Sequence, residues 1–333
     1  MKRTVIGGGS WGTALASVLA HSGAVTIWAR DPQVVHSINT RHKNCKYQSD
    51  LSLPKALYAT NSLAEAVTNA DLVVLVVPSH VMRKVLDECA SLLKVGAILV
   101  SASKGIENGS LMTMEEVMTA SLPRSFRSDL AFLSGPSFAR ETIEQQATAV
   151  TVAARFPDVA TEVQRIMTTS YFRIYTTEDV TGVELGGALK NVIAIASGVA
   201  EGLGLGHNSR AALITRGVAE ITRLAVKMGA NPLTLSGLAG MGDLILTCTG
   251  GLSRNRRVGF ELGKGRTLLE ITDEMNEVAE GIKTTKSAYE LSIKENVDMP
   301  ITHEVYKMLY QDKSPINTLR DLMRRDLKGE RDY

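Results

Sequence analysis

Gly7-Gly8-Gly9-Ser10-Trp11-Gly12 lies between a short apolar run, Thr4–Ile6, and an amphipathic stretch, Thr13–His21. Gly7, Gly9 and Gly12 stand at GxGxxG spacing, and the β-branched run Val25–Trp28 follows. Few patterns restrict a fold so strongly. A strand has to turn at once into a helix, with glycine permitting the turn and letting backbone N–H groups reach a pyrophosphate at the helix N-terminus. Strand, glycine turn, helix and strand in that order predict a parallel βαβ unit that takes a dinucleotide.

The alternation continues through the first half. Asp71–Pro78 reads as a central strand covered on both faces, because it is apolar without alternation. Ala97–Val100 is a further strand and ends in Ser101-Ala102-Ser103-Lys104-Gly105, while Leu130–Leu133 runs into Ser134-Gly135-Pro136-Ser137-Phe138-Ala139. Ala147–Ala153 and Tyr171–Tyr175 read as strands flanking a helix from Pro157 to about Thr168. In open α/β sheets ligands bind beyond the carboxyl ends of the strands, which places Lys104, the Val77–His80 turn and the Gly135–Ser137 turn where a ligand would lie. After Val25–Trp28 come Ala29-Arg30-Asp31. An acidic residue here suits the ribose hydroxyls of NAD and an arginine the 2′-phosphate of NADP. Both types are present, and Asp31 is equally suited to cap a helix opened by Pro32.

The second half is helical. Ala211–Met228, Leu268–Met275, Lys286–Ile293 and Glu304–Tyr310 carry helical spacing. The stretch Glu184–Asn208 is apolar on nearly every face, and from Leu185 to Leu205 its polar side chains are Lys190, Asn191, Ser197 and Glu201. That predicts a buried helix, and its repeated glycines imply that another backbone packs close. Lys190 then either carries its amine out to water along an apolar stem or is a working cation. Spacing puts Glu201 about three turns away, too far to neutralise it, and Asp243 is the expected counter-charge. Two stretches read as loops: Ala239–Leu244, with Asp243 after a glycine pair, and Gly250–Arg257, where Ser253, Arg254 and Asn255 offer a hydroxyl, a guanidinium and an amide to a phosphate.

Composition narrows the class. The net charge of +2 gives no ground for a nucleic-acid or anionic-membrane partner. The three cysteines, Cys45, Cys89 and Cys248, form no CxxC pair and suit a reducing compartment. No secretory signal or membrane-inserting segment is expected, the location expected is the cytoplasm, and no metal site enters the reading.

Long motifs, in order along the whole chain, resemble those of NAD(P)-dependent glycerol-3-phosphate dehydrogenases, the bacterial type above all. They are GGGSWGTALA from Gly7, SKGIE from Ser103, SGPSFA from Ser134, GALKNVIA from Gly187, AGMGDL from Ala239, LSRNRRVG from Leu252 and VAEGIKT from Val278. His207 stands where a small or acidic residue is expected. The resemblance implies an α/β fold, with a doubly wound, Rossmann-like, mostly parallel sheet over residues 1–178 and an all-α domain over 179–333. It implies NAD or NADP as cofactor, a small phosphorylated substrate (dihydroxyacetone phosphate, reduced reversibly to sn-glycerol 3-phosphate for phospholipid synthesis) and a homodimer. By resemblance Lys190 is the general acid and base. Gly7, Gly9, Ser10, Trp11, Gly12, Arg30, Lys104, Ala139, Arg254, Val278 and Glu280 would contact the cofactor. Lys104, Gly135, Ser137, Lys190, Asp243, Ser253, Arg254 and Asn255 would surround the substrate. A reductase of hydroxy-acid type and a non-catalytic nicotinamide sensor are the competing readings. The first needs one bidentate arginine rather than the Ser253–Arg257 set, and the second needs no lysine in an apolar helix.

Overall fold

The computed structural model of the chain describes residues 1–275, 279–327 and 329–330. Among the described residues eight strands form one sheet: β1 (Arg3–Ile6), β2 (Val25–Trp28), β3 (Leu57–Thr60), β4 (Leu72–Leu75), β5 (Ile98–Ser101), β6 (Leu130–Ser134), β7 (Thr148–Ala153) and β8 (Phe172–Thr177). Their order is β3-β2-β1-β4-β5-β6-β7-β8, all pairs parallel except β6 with β7. The order reverses beside β1, whose Ile6 is level with Trp28 of β2 and Leu75 of β4. Everything that follows β1, β2, β4, β5 and β6 therefore emerges at one edge of the sheet. β4 is buried along its whole length, as a continuous apolar run between two helical layers must be.

β3 has no counterpart in the sequence reading. Its four residues, Leu-Tyr-Ala-Thr, carry an exposed tyrosine in the middle and neither a long apolar run nor a clean alternation. The helix before it, Pro32–Arg41, starts as expected, with Asp31 accepting from the Gln33 N–H at 2.8 Å.

The chain divides into two compact units, residues 1–104 with 112–183, and residues 105–111 with the described residues from Glu184 onward. The short segment belongs to the second unit because Ile106 is buried in its core and its carbonyl accepts from the Ser287 hydroxyl at 3.3 Å.

The helix Val180–Gly202 is long and apolar enough to cross a membrane, but 94% of its apolar window is buried inside the protein. Its glycines explain how it packs. A Cβ on Gly198 would lie 2.0 Å from the Arg256 carbonyl oxygen, and one on Gly202 would lie 2.3 Å from that of Phe260. The facing helix, Arg254–Gly263, reciprocates, with Gly259 against the Ile195 carbonyl and Gly263 against that of Val199. Two GxxxG faces thus let two backbones touch, at a propensity cost of roughly 1 kcal/mol per glycine.

The expected helices are present as His207–Lys227, Leu268–Asp273, Glu280–Lys294 and Pro300–Tyr310. Of the two expected loops, Ala239–Leu244 is helical and Gly250–Arg257 is a turn only as far as Ser253. Leu238–Gly242 is a π-helical turn running into the helix Asp243–Thr249, and Ser253 caps the helix Arg254–Gly263. Gly240 marks close backbone approach, since a Cβ there would lie 2.2 Å from the Leu235 carbonyl oxygen, whereas Gly251 lies in a turn with open space beside it.

Candidate active site

In the first unit the glycine turn is fixed by sterics at two positions and open at the third. Gly7 has φ 130°, and its Cβ would fall 2.3 Å from the Val76 carbonyl oxygen. Gly12, in the helix Ser10–Ala20, would bring a Cβ to 1.9 Å from the Gly7 oxygen. Gly9 has nothing within 4 Å on that side. Among the described residues no side chain caps this helix, whose first N–H groups have no acceptor within the helix itself. Trp11 lies at the same start, and its buried indole N–H has no partner among the described residues. The open side of Gly9, the uncapped helix start and the Trp11 indole N–H fit a dinucleotide pyrophosphate.

Asn44, fully buried, bolts a neighbouring loop onto this turn. Its Nδ2 donates to the Gly8 carbonyl and to Thr13 Oγ1, both at 2.9 Å, and its Oδ1 accepts from the Lys46 and Tyr47 N–H groups. Lys46 in turn forms an ion pair with Asp31. Arg30 is exposed beyond β2, next to Ala29, whose Cβ packs against Gly8.

Beyond β5 and β6, Lys104 Nζ donates to the Gly135 carbonyl at 3.4 Å, and the Ser137 hydroxyl donates to the same oxygen at 3.0 Å. Gly135 has φ 145°, and a Cβ there would sit 2.8 Å from Val150 Cα. Lys104, Gly135 and Ser137 thus form one cluster, and Ala139, half-buried, opens the short helix Ala139–Ile143 that follows.

The second unit holds the lysine. Lys190 Nζ is 2.6 Å from Asp243 Oδ1 and 2.6 Å from Thr247 Oγ1, with Lys190 6% and Asp243 1% exposed. The Thr247 hydroxyl donates its proton to the Asp243 carbonyl at 2.6 Å, so it can only accept from the amine. Lys190 Nζ is therefore held between a carboxyl oxygen and a hydroxyl lone pair, inside an apolar core. Glu201 is engaged elsewhere, in a bidentate pair with Arg256 at 2.9 and 2.8 Å and a longer one with Arg210.

The residues from Ser253 onward divide their labour. The Ser253 hydroxyl accepts from the Arg256 N–H as helix cap. Asn255 is buried, donating to Asn191 Oδ1 and accepting from the Gly281 N–H, both at 2.9 Å. It ties the residue next to Lys190 to the first turn of the helix that begins at Glu280. Arg254 is exposed at the start of its helix. Val278 lies outside the described residues. Thr247, Asn44 and Lys46 are additions to the set legible in the sequence. Thr247 alone had a local signal, since it falls one helical turn after Asp243. Among the described residues no cluster of His, Cys, Asp and Glu could hold a metal ion.

A Rossmann-like sheet with this open glycine turn, and a buried lysine–aspartate pair in a separate helical unit, define the class: a nicotinamide-dinucleotide-dependent dehydrogenase. Comparison with known proteins narrows it. Residues 2–160 match the family model of the NAD-dependent glycerol-3-phosphate dehydrogenase N-terminus, and residues 179–320 match that of its C-terminus. A glycerol-3-phosphate dehydrogenase [NAD(P)+] of Myxococcus xanthus is 54% identical over 331 residues, covering 99% of each chain. One from Geobacter sulfurreducens is 55% identical over 328 residues, covering 98% of each. The crystal structure of glycerol-3-phosphate dehydrogenase from Coxiella burnetii superposes with a TM-score of 0.91 at 35% identity, covering 97% of this chain and 99% of that one. The chain belongs to the NAD-dependent glycerol-3-phosphate dehydrogenase family.

Proposed function

We propose that the protein reduces dihydroxyacetone phosphate to sn-glycerol 3-phosphate, reversibly, with a nicotinamide dinucleotide. The observation that carries this reading is the Lys190 amine, buried and held by Asp243 and Thr247. The dinucleotide, when bound, supplies the hydride to C2. Gly7, Gly9, Ser10, Trp11 and Gly12 take its pyrophosphate, Arg30 its adenosine end, and Lys104, Ala139, Arg254, Val278 and Glu280 further contacts.

As C2 accepts hydride its oxygen gains negative charge. Lys190 Nζ stabilises that charge and transfers a proton to the oxygen; in the oxidative direction neutral Lys190 removes the hydroxyl proton. Asp243 and Thr247 fix the position of the amine that acts on the substrate oxygen. Arg254, with the helix N-terminus that Ser253 caps, supplies cationic and backbone donors for the phosphate dianion. By the family resemblance Lys104, Gly135 and Ser137 are further substrate residues, and Asn255 keeps Asn191 and the Glu280 helix start in register. Holding the phosphate converts remote binding energy into orientation at C2.

The same reading includes a homodimer, for which exposed Leu233, Leu269 and Met323 supply apolar surface. It also includes a reducing compartment such as the cytoplasm, which three free cysteines suit, and a product used as the backbone of phospholipids.

The test follows oxidation of the reduced nicotinamide with dihydroxyacetone phosphate and, separately, dihydroxyacetone. Oxidation that requires the phosphate supports the reading. Oxidation with 2-oxo acids alone selects a hydroxy-acid reductase, and binding without turnover a sensor.

A further inference from the structure

The chain presents both residues that could read the adenosine ribose, Arg30 for a 2′-phosphate and Asp31 for free hydroxyls. The structure weights them unequally. One Asp31 oxygen accepts from the Gln33 N–H at 2.8 Å as the cap of the helix Pro32–Arg41, and the other is paired with Lys46. Lys46 and the Gln33 N–H together hold the Asp31 carboxyl below its usual range, so it is a carboxylate whose charge Lys46 opposes. Arg30, by contrast, is exposed, and no described side chain pairs with it.

Lys46 is not a casual surface lysine. Asn44 is fully buried against the glycine turn and accepts from the Lys46 backbone N–H at 3.2 Å, and the Ser37 hydroxyl holds the Lys43 carbonyl at 2.8 Å. The loop is thereby tied at two points to the elements that carry Gly8 and Asp31. Beside it His36 and Arg41, with Pro32, Gln33 and Cys45, line an open cavity of about 400 Å³. Two cations, Arg30 and Lys46, thus flank one capped carboxylate, and the adjoining cavity adds a third. That charge balance suits a phosphate dianion and gives a neutral diol no advantage.

We propose that Lys46, positioned by Asn44, is a specificity-determining residue that cancels Asp31 and selects the 2′-phosphorylated dinucleotide, NADPH, over NADH. This rests on the reading that the first unit binds a nicotinamide dinucleotide. Dissociation constants for NADPH and NADH, measured by reduced-nicotinamide fluorescence without substrate, test it in wild type, Lys46→Ala, Asp31→Asn and the double variant. Wild type binds NADPH at least about tenfold tighter than NADH, and Lys46→Ala removes most of that ratio. Asp31→Asn keeps the cap, because asparagine caps as well, and keeps the ratio. In that background Lys46→Ala lowers the ratio much less, since no carboxylate is left to uncover. Equal or tighter NADH binding by wild type overturns the proposal, as does a ratio that Lys46→Ala leaves intact. Failure of either dinucleotide to bind overturns it differently, by removing the reading on which it rests.

Discussion

Glycine does opposite work in the two units. In the first, Gly9 faces open space at an uncapped helix start, beside an indole N–H that has no partner among the described residues. In the second, Gly198, Gly202, Gly259 and Gly263 face backbone at distances no Cβ could occupy. One cluster keeps a surface open for a ligand; the other closes a core so that a helix bearing a charged amine can be gripped by its neighbours. The contrast in charge follows. Asp31, Lys46 and Arg30 are reached by solvent and act by complementarity, whereas Lys190 and Asp243 are desolvated and depend on each other. A buried pair of this kind is weak support for stability but costly to break on one side. Its retention in an apolar core therefore argues for chemistry.

The comparison can be broken by substitution. Gly198→Ala puts a methyl group 2.0 Å from a carbonyl oxygen, so the two helices must separate. We expect a loss of about 3 kcal/mol, seen as a melting shift of roughly 5–10 °C. A variant that melts with wild type would mean that the crossing is not tight. Next is a pH effect confined to the second unit. Glu220 is buried and accepts from the Ile301 and Thr302 N–H groups at 2.6 and 3.1 Å, yet burial pushes its carboxyl up to about 7 from an ordinary 4.5. Between those values the folded chain keeps a proton that the unfolded chain has released, so stability falls as pH rises through that window. The fall amounts to at most about 3 kcal/mol. Denaturant unfolding at several pH values measures it, and Glu220→Gln should flatten the profile; an unchanged slope would reassign the effect to other groups. The smallest stability change belongs to Gly9→Ala. Gly9 already has an extended backbone and free space around it, so unfolding should shift by no more than about 0.5 kcal/mol while dinucleotide affinity drops. Gly9→Ala melting like Gly198→Ala would erase the distinction between the clusters.

How much of this was legible depended on whether meaning was local. β2 and the helix from Pro157 were readable because their apolar pattern is complete within a few residues. Lys190 stood out because a cation in an apolar helix is anomalous wherever the helix packs, and Asp243 followed as its expected counter-charge. The helix beginning at Asp243 was hidden behind Gly240, which looks like a turn signal but packs against the Leu235 backbone, and the turn at Gly251 masked the helix that starts at Arg254. Thr247 reaches Lys190 across 57 positions with only its place one turn after Asp243 to point there, and Asn44 reaches Gly8 across 36 with nothing in its neighbourhood to announce the partner. The family motifs supplied roles for residues such as Ser253 and Asn255, and the structure adds that one caps a helix and the other joins three segments.

The central claim is that the Lys190 amine delivers the proton while the first unit binds the dinucleotide independently of it. The direct measurement is turnover with dihydroxyacetone phosphate in Lys190→Ala, paired with the dinucleotide dissociation constant of the same variant. We expect the dissociation constant to stay near wild type and turnover to fall at least about a hundredfold. Turnover close to wild type, in a variant that binds the dinucleotide normally, would contradict the account.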